Sequence, residues 1–336
     1  MRRRTQARRV PRTPRPLPES LGDAFSTSDA RAAGASHGRL RAKDLERPFH
    51  GARLRLPIEG PDDEDEDPRT SRWELDRRAE KRRARALSTV MTPGTFFAGR
   101  TAAVLQCAAI DPGPELVVGV FAPTRAPRHA GVRSVQVPLD AAFLRMHDGL
   151  RMTSPASTWA MLARELTVRE LVIVGDSFVR IPRNAKGRLQ PDRQVATIEQ
   201  LERATGSCRR IGVAKLREAL PLIRVGSASP LETDFRLDAM AGGLPEPELD
   251  VEIRDAGGAL LGISEVVYRP QRLAVEIDGD HHRTSRAQWN RDIDKYTSYA
   301  AAGWEVIRLT STHIRGDRAR AVALVRAALR RRGGVE

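Results

Sequence analysis

Between residues 229 and 332 the hydrophobic and polar positions of this chain change period in an orderly way. Ser229-Pro230-Leu231-Glu232 reads as a helix start: a capping serine, then proline, then glutamate three residues on. Gly242-Gly243 ends that helix just after Met240. Alternation then takes over. Residues 249–254 and 260–268 alternate about a Gly257-Gly258 turn, Pro270 breaks the second run, and 272–278 form a third. The helical period returns across 285–302, where Trp289, Ile293, Tyr296 and Ala300 share a face and Gly303 follows. Residues 304–309 read as a further strand. A closing helix over 317–332 turns Val322, Val325 and Leu329 inward, with Arg318, Arg326 and Arg330 outward. The predicted order is α-β-β-β-α-β-α.

Upstream the pattern is less regular. Leu17, Leu21, Ala24 and Phe25 fall on one helical face. Ser26 or Ser28 caps a second short helix that Gly34 ends, and Ser36 caps a third carrying Arg39, Arg41 and Lys43. Pro48-Phe49-His50-Gly51 turns into a wing, so residues 17–57 match helix-turn-helix spacing, with the basic residues on the helix that would enter a major groove. The alternative is a helical cap that binds nothing. In residues 88–222, the apolar runs 116–121 and 171–175 read as strands, and Ser154-Pro155 opens a helix with Trp159, Leu162 and Leu166 on one face. Arg125, Arg128, His129 and Asp176 are tied together by no spacing and read as surface residues.

Charge changes this picture most. The net charge is +14, and residues 1–57 hold fourteen Lys/Arg against five acids, nine of that excess. Residues 1–16 carry seven Arg, three Pro and no acid, the composition of a disordered basic arm. A polyanionic partner follows, with an Arg-rich but merely solvated surface as the bland alternative. Residues 58–87 read as a linker, with six consecutive acids at 62–67, running into a charged helix. No apolar run approaches a membrane span and no apolar segment follows the first arginines, so a cytoplasmic protein is expected. Cys107 and Cys208 belong to no CxxC pair, which argues against a thiolate zinc site or a disulfide framework.

Chemistry concentrates on the third C-terminal strand. Alternation puts Leu273, Val275 and Ile277 on one face, with Ala274, Glu276 and Asp278 on the other. Two carboxylates on one face of an apolar strand are costly unless a cation offsets them, and Mg²⁺ or Mn²⁺ is the economical choice. Glu265 on the neighbouring strand can complete the oxygen cage, and His282 can serve as general base or phosphate ligand. The alternative is a solvated acidic hairpin tip. Glu232 is either catalytic or only a helix cap.

Two resemblances extend this reading. Ser229-Pro230 with Glu232-Thr233, Val275-Glu276-Ile277-Asp278-Gly279 with His282, Trp289 with Arg291-Asp292, and Ala302-Gly303-Trp304 with Val306 and Arg308 resemble very-short-patch-repair endonuclease-like domains of the PD-(D/E)xK superfamily. The run from Phe25 through Gly34, then Ser36-His37-Gly38-Arg39-Leu40 to Arg47-Pro48-Phe49-His50-Gly51, resembles the winged helix-turn-helix of AbiEi-family antitoxin-like proteins. Gly149-Leu150-Arg151, Thr153-Ser154-Pro155 and Thr158-Trp159 resemble their middle region. The implied fold is mixed α+β and α/β: a winged helix, a middle α/β domain over 88–222, and a restriction-endonuclease-like domain over 229–332. The resemblance further implies metal binding by Glu265 and Glu276, flanked by Asp278 and His282. It has Glu232 orienting from the first helix and Asp292 supporting the site. Glu265 stands where the family has Asp, and Asp278 where the superfamily has Lys. The expected function is metal-dependent endonuclease action on DNA. The alternative is an antitoxin-like regulator, partnered by a toxin-like nucleotidyltransferase, whose nuclease fold is non-catalytic; RNA as substrate is equally open.

Overall fold

The structure, a computed structural model, describes residues 15–56, 72–206, 210–278, 286–316 and 319–333. It is a mixed α/β protein, with three sheets and eleven α-helices among those residues.

The N-terminal unit holds β1 (Ala24–Ser26), α1 (Thr27–Ala32), β2 (Leu45–Glu46) and β3 (Ala52–Arg55), the strands ordered β1-β3-β2. Ser26 caps α1, its Oγ accepting from the Asp29 amide at 3.0 Å and donating to Asp29 Oδ2 at 2.7 Å. Two expected helices differ. Leu17, Leu21, Ala24 and Phe25 lie on a 3₁₀ turn (Glu19–Leu21) followed by β1, because Pro18 and Gly22 bracket too short a run for an α-helix. The expected third helix is only a 3₁₀ turn, Arg39–Arg41, and Lys43 lies beyond it. Asp44 explains the stop, for it grips Arg39 in a two-pronged ion pair at 2.9 and 2.6 Å.

The middle region begins with α2 (Arg72–Ser88). It continues through β4 (Phe96–Phe97), α3 (Gly99–Leu105), β5 (Leu116–Phe121), β6 (Val132–Val137), β7 (Leu144–His147) and β8 (Leu150–Thr153). These strands form one sheet, ordered β6-β5-β4-β8-β7. At its centre a Cβ on Gly119 would lie 2.4 Å from the Phe96 ring, so only glycine lets β4 and β5 pair there. Four helices follow: α4 (Pro155–Leu162), α5 (Val168–Val179), α6 (Ile198–Gly206) and α7 (Val213–Ala219). Residues 171–175, expected as a strand, lie inside α5. Thr167 and Glu170 form a capping box that starts the helix three residues earlier, at Val168, and an apolar run of five fits a buried helix as well as a strand.

The C-terminal region comprises α8 (Pro230–Ala241), β9 (Glu248–Arg254), β10 (Leu260–Tyr268), β11 (Leu273–Asp278), α9 (Arg286–Ala301) and β12 (Glu305–Thr310). It closes with α10 (Ser311–Ile314) and α11 (Ala321–Arg331). The sheet order is β12-β11-β10-β9, with β12 parallel to β11 and the other neighbours antiparallel. Leu273, Val275 and Ile277 pack with Phe235 of α8 and Val325 and Leu329 of α11. Ala274 packs with Tyr299 of α9 on the opposite face. Among the described residues of α9 Tyr299 is buried, whereas Ile293, placed on the packed face from the sequence, is half exposed, and the side chain of Trp289 lies outside the described residues. The closing helix expected over 317–332 begins at Ala321 as α11, and the short α10, not expected from the sequence, precedes it.

Asp176 joins the two larger regions and is a core residue, not a surface one. Its carboxylate, 1% exposed, pairs with the fully buried Arg236 at 2.8 Å and accepts from Thr233 Oγ1 and the Arg224 amide. Burial pushes its pKa up and the Arg236 charge opposes that shift.

Candidate active site

Alternation along the C-terminal sheet slips at one cross-strand position. Val251 and Ser264 face α9, since Val251 packs beside Tyr299 and Ser264 Oγ is hydrogen-bonded to Tyr299 Oη at 3.1 Å. Two residues away on each strand, Leu249 and Val266 pack on the other face with α8 and α11. Two-residue spacing would ordinarily keep each pair on one side. Asp250, between Leu249 and Val251, takes a left-handed φ of +52°, and Glu265 lies between Ser264 and Val266. Arg183 of the middle region holds the kink by binding both Asp250 carboxylate oxygens at 2.7 and 2.9 Å.

The slip sends Glu265 toward α8. Its Oε2 accepts from the backbone amide of Ile277 at 2.5 Å. Its Oε1 accepts no hydrogen bond among the described residues, and it lines a cleft with Glu232. Glu232 sits in the first turn of α8 because Ser229 caps the helix and Pro230 occupies its first position. Its Oε2 accepts from the Ala228 amide at 2.7 Å rather than closing a full capping box on Ser229. Glu232 is 3% exposed.

Burial pushes the Glu232 carboxyl up to about 7, with Arg180 and the backbone bond opposing and Asp250 adding. Burial and then the neighbouring Glu232 push Glu265 up to about 8. No Lys or Arg donates a hydrogen bond to either carboxylate among the described residues. The cleft encloses about 740 Å³ and also exposes Arg180, Arg315, Ser177 and Ile277.

The remaining predicted site residues collect on the α9 face. Glu276 is held by Ser264 Oγ at 2.6 Å and by Lys295 Nζ at 2.9 Å. Asp278 is held by Arg308 Nε and Nη2 at 3.0 and 2.7 Å through one oxygen. Asp292 lies near enough to act on the charges of Arg308 and Tyr296. The single cage of Glu265, Glu276 and Asp278 expected from sequence is therefore divided between two faces. Among the described residues no three His, Cys, Asp or Glu side chains gather as a metal-binding group. His282 lies outside the described residues.

Sequence reasoning missed Lys295, Ser264 and Tyr299, and the slip that pairs Glu265 with Glu232. A lysine on the helix after the acidic strand was the available signal for Lys295. In the N-terminal unit, Arg41 and Lys43 are exposed while Arg39 is spent on Asp44. Arg41 shares a pocket of about 510 Å³ with Arg31, His37, Arg47, His50 and Arg53. These further basic groups are scattered along the sequence, and the β2–β3 hairpin brings them together.

No family model matches the chain. It is 26% identical over 184 residues to Uncharacterized protein Rv2248 and Uncharacterized protein MT2308, from two strains of Mycobacterium tuberculosis. The alignment takes in 55% of this chain and 64% of either relative, so the chain spans just under two thirds of their length. Among solved structures, the "Crystal structure of RV2827C protein from Mycobacterium tuberculosis" aligns with a TM-score of 0.35 at 16% identity. That alignment covers 69% of this chain and 78% of the other. No helix among the described residues is long and apolar enough to cross a membrane.

Proposed function

We propose that this chain is a nucleic-acid-processing protein whose C-terminal region hydrolyses phosphodiester bonds with Mg²⁺ or Mn²⁺ between Glu232 and Glu265. One observation carries the reading: two neighbouring carboxylates, Glu232 buried and Glu265 half-buried, each raised in pKa, with no cationic side chain hydrogen-bonded to either among the described residues. Elsewhere buried or half-buried acids are paired: Glu276 with Lys295, Asp278 with Arg308 and, in the middle region, Asp176 with Arg236. The donor set suits a hard cation, since Mg²⁺ takes one or two carboxylates and fills its other positions with water and phosphate oxygens. Bound there, the ion would lower the pKa of water and offset charge on the scissile phosphate. Glu232 and Glu265 would hold it, with Arg180 on the cleft wall beside them.

The sheet order, the parallel β11–β12 pair and helices on both faces support a restriction-endonuclease-like, very-short-patch-repair-related assignment for this region. The β2–β3 hairpin and the basic pocket beside α1 support a winged-helix reading of the N-terminal unit, with DNA as its ligand.

A second reading rests on Glu276. Its carboxylate is satisfied by Lys295 and Ser264, as in an antitoxin-like regulator that keeps the fold without the chemistry. That reading brings the toxin-like nucleotidyltransferase as partner. Cleavage of plasmid and of labelled oligonucleotides in Mg²⁺, Mn²⁺ or Ca²⁺ separates the two. We expect cutting in Mg²⁺ or Mn²⁺ that falls about 100-fold or more in Glu265→Gln and in Glu232→Gln. Equal background cutting by the wild type and both variants contradicts the enzyme.

A further inference from the structure

The middle region contributes one wall of the cleft. Glu170, Ile173, Val174 and Ser177 of α5 line it at the spacing of a single helical face, and Arg180, the residue that follows the helix, lines it too. From Glu170 to Arg180 that wall runs roughly 15 Å at 1.5 Å per residue. The Glu170 carboxylate is turned back onto the Thr167 cap, so the wall it begins is apolar along Ile173 and Val174. Ile110 lies along the same cleft. Trp73 stands at its rim, 40% exposed, with the Arg77 guanidinium 4.3 Å from the ring centroid.

Arg180 ends this wall beside the acid pair. It is half-buried, close enough to Glu232 to oppose the rise in its pKa, and it donates no hydrogen bond among the described residues. The other cleft arginines are engaged: Arg315 donates to Asp234 at 2.6 Å, and Arg100 to the Asp111 carbonyl at 3.2 Å. A half-buried guanidinium near the Glu232 carboxyl, with no hydrogen bond donated among the described residues, suits an anionic oxygen arriving from outside.

We propose that Arg180 is a phosphate ligand and that the cleft admits one unpaired nucleic-acid strand, its phosphate between Arg180 and the acid pair and its bases along the α5 wall. The chemistry assigned to that phosphate rests on the nuclease reading, whereas the binding does not. A cleft of about 740 Å³ is the size of a small-ligand pocket, enough for a nucleotide or two. Bases reach an apolar wall or a rim tryptophan only when they leave the duplex stack. DNA and RNA single strands share this chemistry.

Fluorescence anisotropy on the full chain in Ca²⁺ tests it, with labelled oligo-dT, oligo-rU and a blunt duplex as probes. Thermal melts of each variant check folding. Arg180→Ala is expected to weaken binding of at least one single strand about tenfold or more, with Arg180→Lys recovering part and duplex binding unchanged. The better-bound single strand tells DNA from RNA. Equal single-strand binding by wild type and Arg180→Ala, or an equal loss on the duplex, overturns the proposal. A wild type that never cuts, yet loses single-strand binding in Arg180→Ala, ends the nuclease reading and leaves this one standing. A wild type that cuts in Mg²⁺ while Arg180→Ala binds and cuts as well does the reverse.

Discussion

The two faces of the C-terminal sheet treat their acids in opposite ways. On the α9 face Glu276 is nearly buried yet neutralised by Lys295, and Asp278 by Arg308. On the α8 face Glu232 and Glu265 lie side by side and raise each other's cost of ionising, with Arg180 near but not bonded. A buried acid that the fold has already paired is part of the structure. An acid pair to which no cationic side chain is bonded is, on the proposed reading, where a cation arrives from outside. The proposed chemistry accordingly lies not on the strand where the acids are most conspicuous in sequence but in the cleft beside it.

The strongest way to break this contrast is to remove Lys295. Lys295→Met leaves Glu276 buried and unpaired and is expected to cost about 3 kcal/mol in denaturant unfolding, with Lys295→Met/Glu276→Met recovering most of it. If Lys295→Met unfolds like wild type, the α9 pair is not structural.

Glu265→Gln should act in the opposite direction. Its carboxyl is raised from the ordinary value of about 4.3 to about 8, so the folded state holds the proton more tightly than the unfolded chain. The metal-free wild type therefore loses stability as pH rises through that window. Glu265→Gln should flatten the dependence and raise the metal-free Tm at pH 8 by about 4 °C. A Tm equal to or below that of wild type at pH 8 contradicts the assignment.

Mg²⁺ sharpens the same point, because it competes with these protons. At a hundredfold excess over its Kd it should stabilise the wild type by about 2.7 kcal/mol. The gain should be greater at pH 8 than at pH 6 and absent in Glu265→Gln. A pH-independent gain would place the ion elsewhere. The smallest effect belongs to Arg308→Met, which breaks a half-exposed ion pair and should cost less than about 1 kcal/mol.

Much of the C-terminal fold was legible. Ser229-Pro230, Gly257-Gly258 and Gly303 set the ends of elements by local backbone preferences, and β10 begins and ends at the residues that its alternation marks. The site was legible only in its residue types. Strict alternation put Glu276 and Asp278 on one face correctly, but nothing in the sequence announces a left-handed Asp250 or the slip opposite it. That slip, held by Arg183 some seventy residues away, moves Glu265 to Glu232. The α5 wall was hidden for a different reason. Residues 171–175 are apolar throughout, and the polar positions that mark the open face of α5, Glu170 and Ser177, fall outside that run, so five residues show no period. In the N-terminal unit the count of basic residues was informative, but which of them are available was not. Arg39 is consumed by Asp44, five residues on, a tertiary choice between partners.

The central claim is that the ion belongs to Glu232 and Glu265 rather than to the strand carrying Glu276 and Asp278. Electron paramagnetic resonance of Mn²⁺ titrated into the full chain at pH 8 tests it directly, by counting bound ions in wild type, Glu265→Gln, Glu232→Gln and Asp278→Asn. The account predicts one bound Mn²⁺ in wild type and in Asp278→Asn, and its loss in both glutamine variants. Binding that survives Glu265→Gln but disappears in Asp278→Asn would contradict it.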